Sequence, residues 1–232
     1  MAEIINGQEA ADLVEGGGTG LATVTDHSVM VGSGTDPVTP IAVGTTGQIL
    51  VGSTSADPVF TTITDVDTLL VGVAINGSSP PEAASILTST YSVEVRNFDD
   101  AADEDLYFTW QVPKDFTGTT ITFRVITWIT NATGTSTSGV AFFLQGASIA
   151  NGELISSALG TARKSSYLDT THTQYDRVAT TWSATAVTVT GIAAGETAMF
   201  KLYRDVSDGD DDYAQDIGVE ALQIKYSKLL SS

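Results

Sequence analysis

The sequence predicts an all-β protein, with an N-terminal repetitive, oligomeric β stem followed by a C-terminal antiparallel β-sandwich, jelly-roll-like head. Three observations carry this reading. Apolar and polar residues alternate in short runs from Tyr91 to Lys228. A Val-Gly pair recurs with a period of 20, at Val31-Gly32, Val51-Gly52 and Val71-Gly72. The composition also changes near residue 90: the first ninety residues hold ten acids, no Lys or Arg, and Phe60 as their one aromatic, while all ten bases and the other seventeen aromatics follow. The expected division is an attachment segment over 1–25, a repeat stem over 26–90 and a head over 91–232.

The chain opens MAEIINGQEAADLVEGGG, with no basic stretch and no long apolar run. That start predicts no secretory signal, and no segment approaches the roughly 18–20 apolar residues of a membrane-spanning helix. Asn6 followed by Glu9 fits a capping box, and Gly16 suits the position beyond a helix end, so a two-turn helix is expected over 7–15. Ile4, Ile5, Leu13 and Val14 would give that end an apolar side for attachment to another protein.

Each repeat unit has an apolar run, a Gly/Ser turn, a proline (Pro37, Pro58, Pro80) and a second apolar run. This is an extended segment, a turn and a second extended segment. Met30, Leu50 and Leu70 precede Val31, Val51 and Val71, so the apolar phase holds across three units. Such units bury little apolar area. At roughly 25 cal/mol per Å², that burial does not offset about 1–2 kcal/mol of backbone entropy per ordered residue. The alternatives are a disordered acidic linker or a stem in which sister chains share one core. The retained phase favours the stem, with three chains as the favoured number.

Beyond Tyr91 the predicted strands are 91–98, 105–113, 119–130, 139–149, 178–192, 196–206 and 217–228, with an irregular loop over 154–176 that has room for one short strand. In DLYFTWQVP, Leu106, Phe108, Trp110 and Val112 share one face while Tyr107, Thr109 and Gln111 share the other. That is the period of a half-buried strand. Several such strands without a long helix indicate a sandwich.

The chemistry-bearing residues are few. Absence of cysteine excludes disulfides, thiolate metal sites and a cysteine nucleophile, and a net charge of −18 argues against nucleic-acid binding. His27 and His172 have no nucleophile elbow or third ligand near them in sequence, so neither a Ser-His-Asp triad nor a zinc site is expected. Asp208, Asp210 and Asp212 keep a D-x-D-x-D calcium spacing, but Tyr213 and Val219 stand where the loop needs Gly and Glu. They read as a solvated turn first and weak Ca²⁺ ligands second. Acids near residue 100 read as strand-end solubility rather than a glycosidase pair. Trp110 is expected in the core and Trp182 at a surface. Loop residues Asn131 and His172 join Trp182 as head-surface candidates. No cofactor is expected.

Three segments carry a resemblance: FTWQVPKDFTGTTITFRVITWIT, GELISSALGTARKS and VTVTGIAAGETAMFKLYRDVSDGDDDYAQDIGVEALQIKY. They resemble a β-sandwich domain of tailed-bacteriophage virion proteins, found at the ends of fibres and appendages. The marks are Trp110 with Pro113, Trp128, the Gly195 turn, Tyr203-Arg204-Asp205 and the closing VEALQIKY strand. The repeats resemble the Gly/Thr-rich stems that precede such heads. The resemblance implies a structural virion protein, commonly a homotrimer. Its N-terminus would be attached to other virion proteins, and its head would be free to meet a host surface glycan or receptor. It implies no enzyme, no nucleic acid and no membrane insertion. A capsid decoration or head-fibre protein is the alternative, and a polysaccharide-depolymerising tail protein or a surface adhesin is less favoured.

Overall fold

Alternation in the C-terminal two-thirds buries one side of each strand, and those strands pair into two facing sheets. The computed structural model describes residues 4–5, 8–9, 19–21, 23–34, 36–87, 90–130, 138–153, 158–169 and 172–229. The chain divides into two units, Met1–Ile63 and Thr64–Ser232.

The first unit is made of short antiparallel pairs. β1 (Ile4–Ile5) pairs with β2 (Gln8–Glu9), β3 (Val29–Ser33) with β4 (Asp36–Ile41), and β5 (Gln48–Val51) with residues 59–62 of β6 (Val59–Leu70). The first two repeats are thus hairpins. The helix expected over 7–15 does not open at Gln8: Ile4 lies opposite Glu9 and Ile5 opposite Gln8. A helix this short is marginal alone, and here inter-strand hydrogen bonds use the same backbone groups. Among the described residues of this unit none is buried.

The second unit contains residues 64–70 of β6, then β7 (Ile75–Asn76), β8 (Glu82–Leu87), β9 (Ser92–Phe98) and β10 (Glu104–Gln111). It continues with β11 (Phe116–Ile129), β12 (Ser138–Ile149), β13 (Arg163–Asp169) and β14 (Arg177–Ala179). β15 (Val187–Thr190), β16 (Thr197–Arg204) and β17 (Ile217–Lys228) complete it. β17 pairs with β11 along one edge and with β9 and β6 on the other, while β8 extends β9 and β14 extends β11. The facing layer runs β7-β10-β16-β12-β13. β15 closes one side, antiparallel to β11 at Thr120–Ile121 and parallel to β12 at Gly146–Ala147.

Between the layers lie Phe108 and Trp110 of β10, Phe123 and Val125 of β11, Phe142 of β12, Phe200 and Leu202 of β16, and Leu222 and Ile224 of β17, all buried. Each such side chain contributes about 1.5–3 kcal/mol relative to exposure. Trp110 packs its ring 5.3 Å from Tyr226 and 5.9 Å from Phe116, and its Nε1 donates to Asp67 Oδ2 at 2.7 Å. Val71, counted with the stem residues from sequence, is buried in this same core. It sits in a single 3-10 turn after β6, where it has no face to offer a sister chain. The irregular loop expected over 154–176 contains β13, a seven-residue strand held to β12 from Ser138 to Leu144.

One buried cation orders the acidic end. Arg204 and Asp211 are paired at 2.8 Å with both side chains almost fully buried. Arg204 Nε also donates to Asp211, and its Nη groups donate to the carbonyls of Phe98, Asp99, Tyr213 and Gln215. A buried ion pair costs desolvation that only such complete hydrogen bonding offsets. Arg204→Ala strands the Asp211 charge and four carbonyls. It should lower unfolding free energy by about 3–5 kcal/mol, read from the urea midpoint; a loss under about 1 kcal/mol would refute this role.

Burial, followed by the charges of Asp67, Asp65 and Asp115, pushes the Tyr226 phenol up to about 12, from an ordinary 10.0. The unfolded chain therefore loses this proton first. Its stabilising effect is complete below pH 10 and falls away as pH rises toward 12. Spectrophotometric titration should show a late phenolate component that Tyr226→Phe removes; no difference between the two proteins would contradict it.

Candidate functional site

β11 and β17 turn Phe123, Val125, Leu222 and Ile224 inward, so their alternate residues, Arg124, Trp128, Gln223 and Lys225, face out. Trp182 lies against this outer face, half-buried. The Arg124 guanidinium carbon is 4.7 Å from the Trp182 ring centroid and Lys225 Nζ is 4.5 Å from it. Arg124 Nε donates to Gln223 Oε1 at 2.7 Å, and Gln223 Nε2 donates to Thr68 Oγ1 at 3.1 Å. Among the described residues no carboxylate pairs with Arg124 or Lys225. A groove of about 190 Å³ beside them is lined by Lys225 and the hydroxyl residues Thr64, Thr120, Thr122 and Ser227.

Farther along the same face a bulge sets a second polar group. Ile126 lies opposite Ala221 and Thr127 opposite Val219, so Glu220 has no partner in register. Its carboxylate accepts Trp128 Nε1 at 2.6 Å and Arg177 Nε at 2.7 Å. Burial opposes ionisation of Glu220, but the bonds from Arg177 and Trp128 outweigh it and hold the carboxyl below its usual range. A separate recess of about 280 Å³ lies among Ser85, Leu87, Val95, Asn97, Thr130 and Tyr175. Gly218 keeps its floor open, since a Cβ there would stand 3.1–3.4 Å from the side chains of Thr130, Val95 and Asn97.

The acidic candidates resolve differently from the sequence expectation. Asp208 and Asp210 both clamp the Lys164 ammonium, at 2.8 Å and 2.7 Å, and Asp212 accepts the Gly139 amide. A lysine thus stands where the calcium spacing would need a metal, so these three are not brought together as ligands. The carboxylates within reach of one another are instead Asp99, Asp100 and Asp216, whose oxygens lie within 4.8 Å. Oxygen-only groups of this kind suit a hard cation. Neither histidine joins an acid-base constellation among the described residues: His172 Nδ1 lies 3.7 Å from Asp176, and exposed His27 lies 3.5 Å from Asp26. Asn131, Leu13 and Val14 lie outside the described residues, and the side chains of Ile4 and Ile5 are not described. No helix among the described residues is long and apolar enough to cross a membrane.

Sequence reasoning singled out Trp182 but missed Arg124 and Lys225. Their outward parity was legible in the alternation of both strands. The register that sets Arg124 opposite Gln223 and Thr122 opposite Lys225 was not.

This geometry defines an antiparallel β-sandwich protein with a polar, aromatic-bearing outer face. The sequence matches no protein-family model, and it has no match among curated proteins. Solved structures similar to it include a carbohydrate-binding module studied for specific mannan recognition, at 10% identity and a TM-score of 0.34 over 71% of this chain and 98% of that one. A module in complex with β-1,4-galactotriose shows 9% identity and a TM-score of 0.30, over 71% of this chain and 88% of that one. A family 11 carbohydrate-binding module from Clostridium thermocellum, in complex with a β-1,3-1,4-mixed-linked tetrasaccharide, shows 8% identity and a TM-score of 0.31, over 80% of this chain and 99% of that one.

Burial, with repulsion from Asp99 and Asp100, holds Asp216 above the usual carboxylate range. The folded state therefore takes up this proton before the unfolded one does, and stability falls as pH rises through that window. Asp216→Asn should raise the melting temperature at pH 7, with the gain shrinking as pH is lowered through the carboxylate range. A variant melting below the parent at pH 7 would count against the cluster being electrostatically costly.

Proposed function

We propose that this chain is a structural protein of a virion, forming an oligomeric, trimeric fibre or spike-like appendage. Residues 1–25 attach it to other virion proteins, and the C-terminal head is presented to the host surface, where a glycan or receptor is the expected contact. It acts without a cofactor, without catalysis, and without inserting into nucleic acid or membrane.

The observation that carries this reading is the contrast in burial. The second unit has a full core, whereas the first shows no buried residue among those described. Of its in-phase apolar side chains, Met30 is 39% exposed, Leu50 41% and Val51 40%, while Val31 is half-buried; Val59, outside that phase, is 58% exposed. Leu70, the third residue in phase, is 54% exposed. Isolated two-stranded hairpins are marginal in water, and a unit that buries too little surface needs a staple, a metal or oligomerisation. With no cysteine present, contact with sister chains is the remedy the composition allows. The resemblance of the repeats to appendage stems supports the same assignment.

Light scattering on the full chain should give the mass of three 24.2 kDa chains, about 73 kDa. Met30→Glu with Leu50→Glu should shift the protein toward monomer. The near-ultraviolet signal of its tryptophans, all in the second unit, should stay unchanged. A folded 24.2 kDa monomer for the parent would overturn the proposal.

A further inference from the structure

The outer face around Trp182 gathers two cations on one indole ring. Although 28 acids outnumber ten bases, among the described residues Arg96, Lys114, Arg124, Arg163 and Lys225 pair with no carboxylate. Arg124 and Lys225 are two such bases on adjacent strands, both within 5 Å of one indole ring. The ring quadrupole attracts each of these cations. The arrangement is prepared rather than loose: Gln223, itself held by Thr68, accepts from Arg124 Nε, and among the described residues no hydrogen bond engages the Arg124 Nη groups. A guanidinium fixed in this way presents the fork that matches a carboxylate.

What lies beside the cations narrows the ligand. The groove at Lys225 has hydroxyls from Thr64, Thr120, Thr122 and Ser227, which both donate and accept. At about 190 Å³ it is smaller than the roughly 300 Å³ at which drug-sized pockets begin, a size suited to one sugar unit. We infer that Arg124, Lys225 and this hydroxyl-lined groove form a binding site for a carboxylated saccharide unit, a uronic or sialic acid, with the carboxylate between the two cations and the sugar hydroxyls against the threonines. The inference deepens the proposed host-surface contact of the head, and it rests on that reading for its purpose but not for its test.

The test is retention of the intact protein on an array of glycans bearing uronic or sialic acids, beside the same glycans with their carboxyls methyl-esterified and beside immobilised polyphosphate. The expected result is binding to at least one acidic glycan and loss of that binding on esterification, with weaker retention on polyphosphate. Arg124→Gln or Lys225→Gln should each weaken the binding about tenfold, the effect of removing one charged hydrogen bond. Retention on no acidic glycan would overturn the inference, as would equal retention of the methyl esters. Polyphosphate binding as tight as the best glycan would reduce the site to a bare charge pair and also overturn it. The esterification comparison uses the parent protein alone, so it decides the matter even if a variant folds poorly. Because the mass measurement reports assembly and the array reports ligand, failure of one is distinguishable from failure of the other.

Discussion

Arg204 heads the fully buried side chains by size, and the acid-rich end of the sandwich is built around it. Its hydrogen bonds reach the end of β9 at Phe98 and Asp99, and the 205–216 loop at Asp211, Tyr213 and Gln215. These segments lie far apart in sequence and would otherwise carry unsatisfied carbonyls into the interior. The same convergence draws Asp99, Asp100 and Asp216 together, so the electrostatic cost of that cluster follows from the way the end is closed. Arg204 moderates the cost, since its charge opposes the upward push that burial gives to both Glu104 and Asp216.

Scarcity of cations sets the pattern elsewhere. Lys164 serves two carboxylates, Arg177 meets Glu220 through two nitrogens, and Lys228 lies 2.5 Å from Asp65. These pairs are partly exposed and contribute modestly to stability. Their effect is on geometry: Glu220 fixes Trp128, and Asp65 ties β6 to the end of β17. Buried Trp110 takes Asp67 from the same strand β6, so a strand from the acidic N-terminal part of the sequence completes the aromatic core. Against this background Arg124 and Lys225 stand out as two bases without a carboxylate that meet on one indole ring.

Much of the sandwich was legible in sequence. Alternation marked β9, β10, β11, β12, β16 and β17 to within a few residues, most clearly in β16, where every second residue is buried, and least in β12, where Ser138–Phe142 are all buried. The 178–192 run shows where that reading stops. It divides into β14 and β15, and between them Thr180 and Ser183 bond to β11 through their hydroxyls as well as their amides, at Val125 and Phe123. Ser and Thr can offer the backbone such substitutes for a regular ladder, and periodicity does not reveal it. The Glu220 bulge, the burial of Val71 and the Trp110–Asp67 bond escaped for a related reason. Each is decided by pairing across tens of residues, which local patterns do not encode. The same holds for the candidate site, where Trp182 was visible as an odd aromatic among threonines but its two cations were joined to it only by register.

The first ninety residues pose the opposite problem, since their ten acids have no base within the same segment. In the proposed stem, sister chains would bring further negative charge to one axis, and no ion pair could form between stem segments. Attraction must then come from apolar contact, and Met30, Leu50, Val51 and Val59 are the side chains left open to supply it. Repulsion between exposed charges is screened beyond about 8 Å at physiological ionic strength, whereas apolar burial is not weakened by salt. An acidic stem of this kind therefore holds together where ions are abundant, and its outward charge keeps one assembled stem from adhering to another. The lack of bases, which taken alone only argued against nucleic-acid binding, thereby becomes a condition on how the stem can associate: through a shared apolar seam, with the carboxylates turned to solvent.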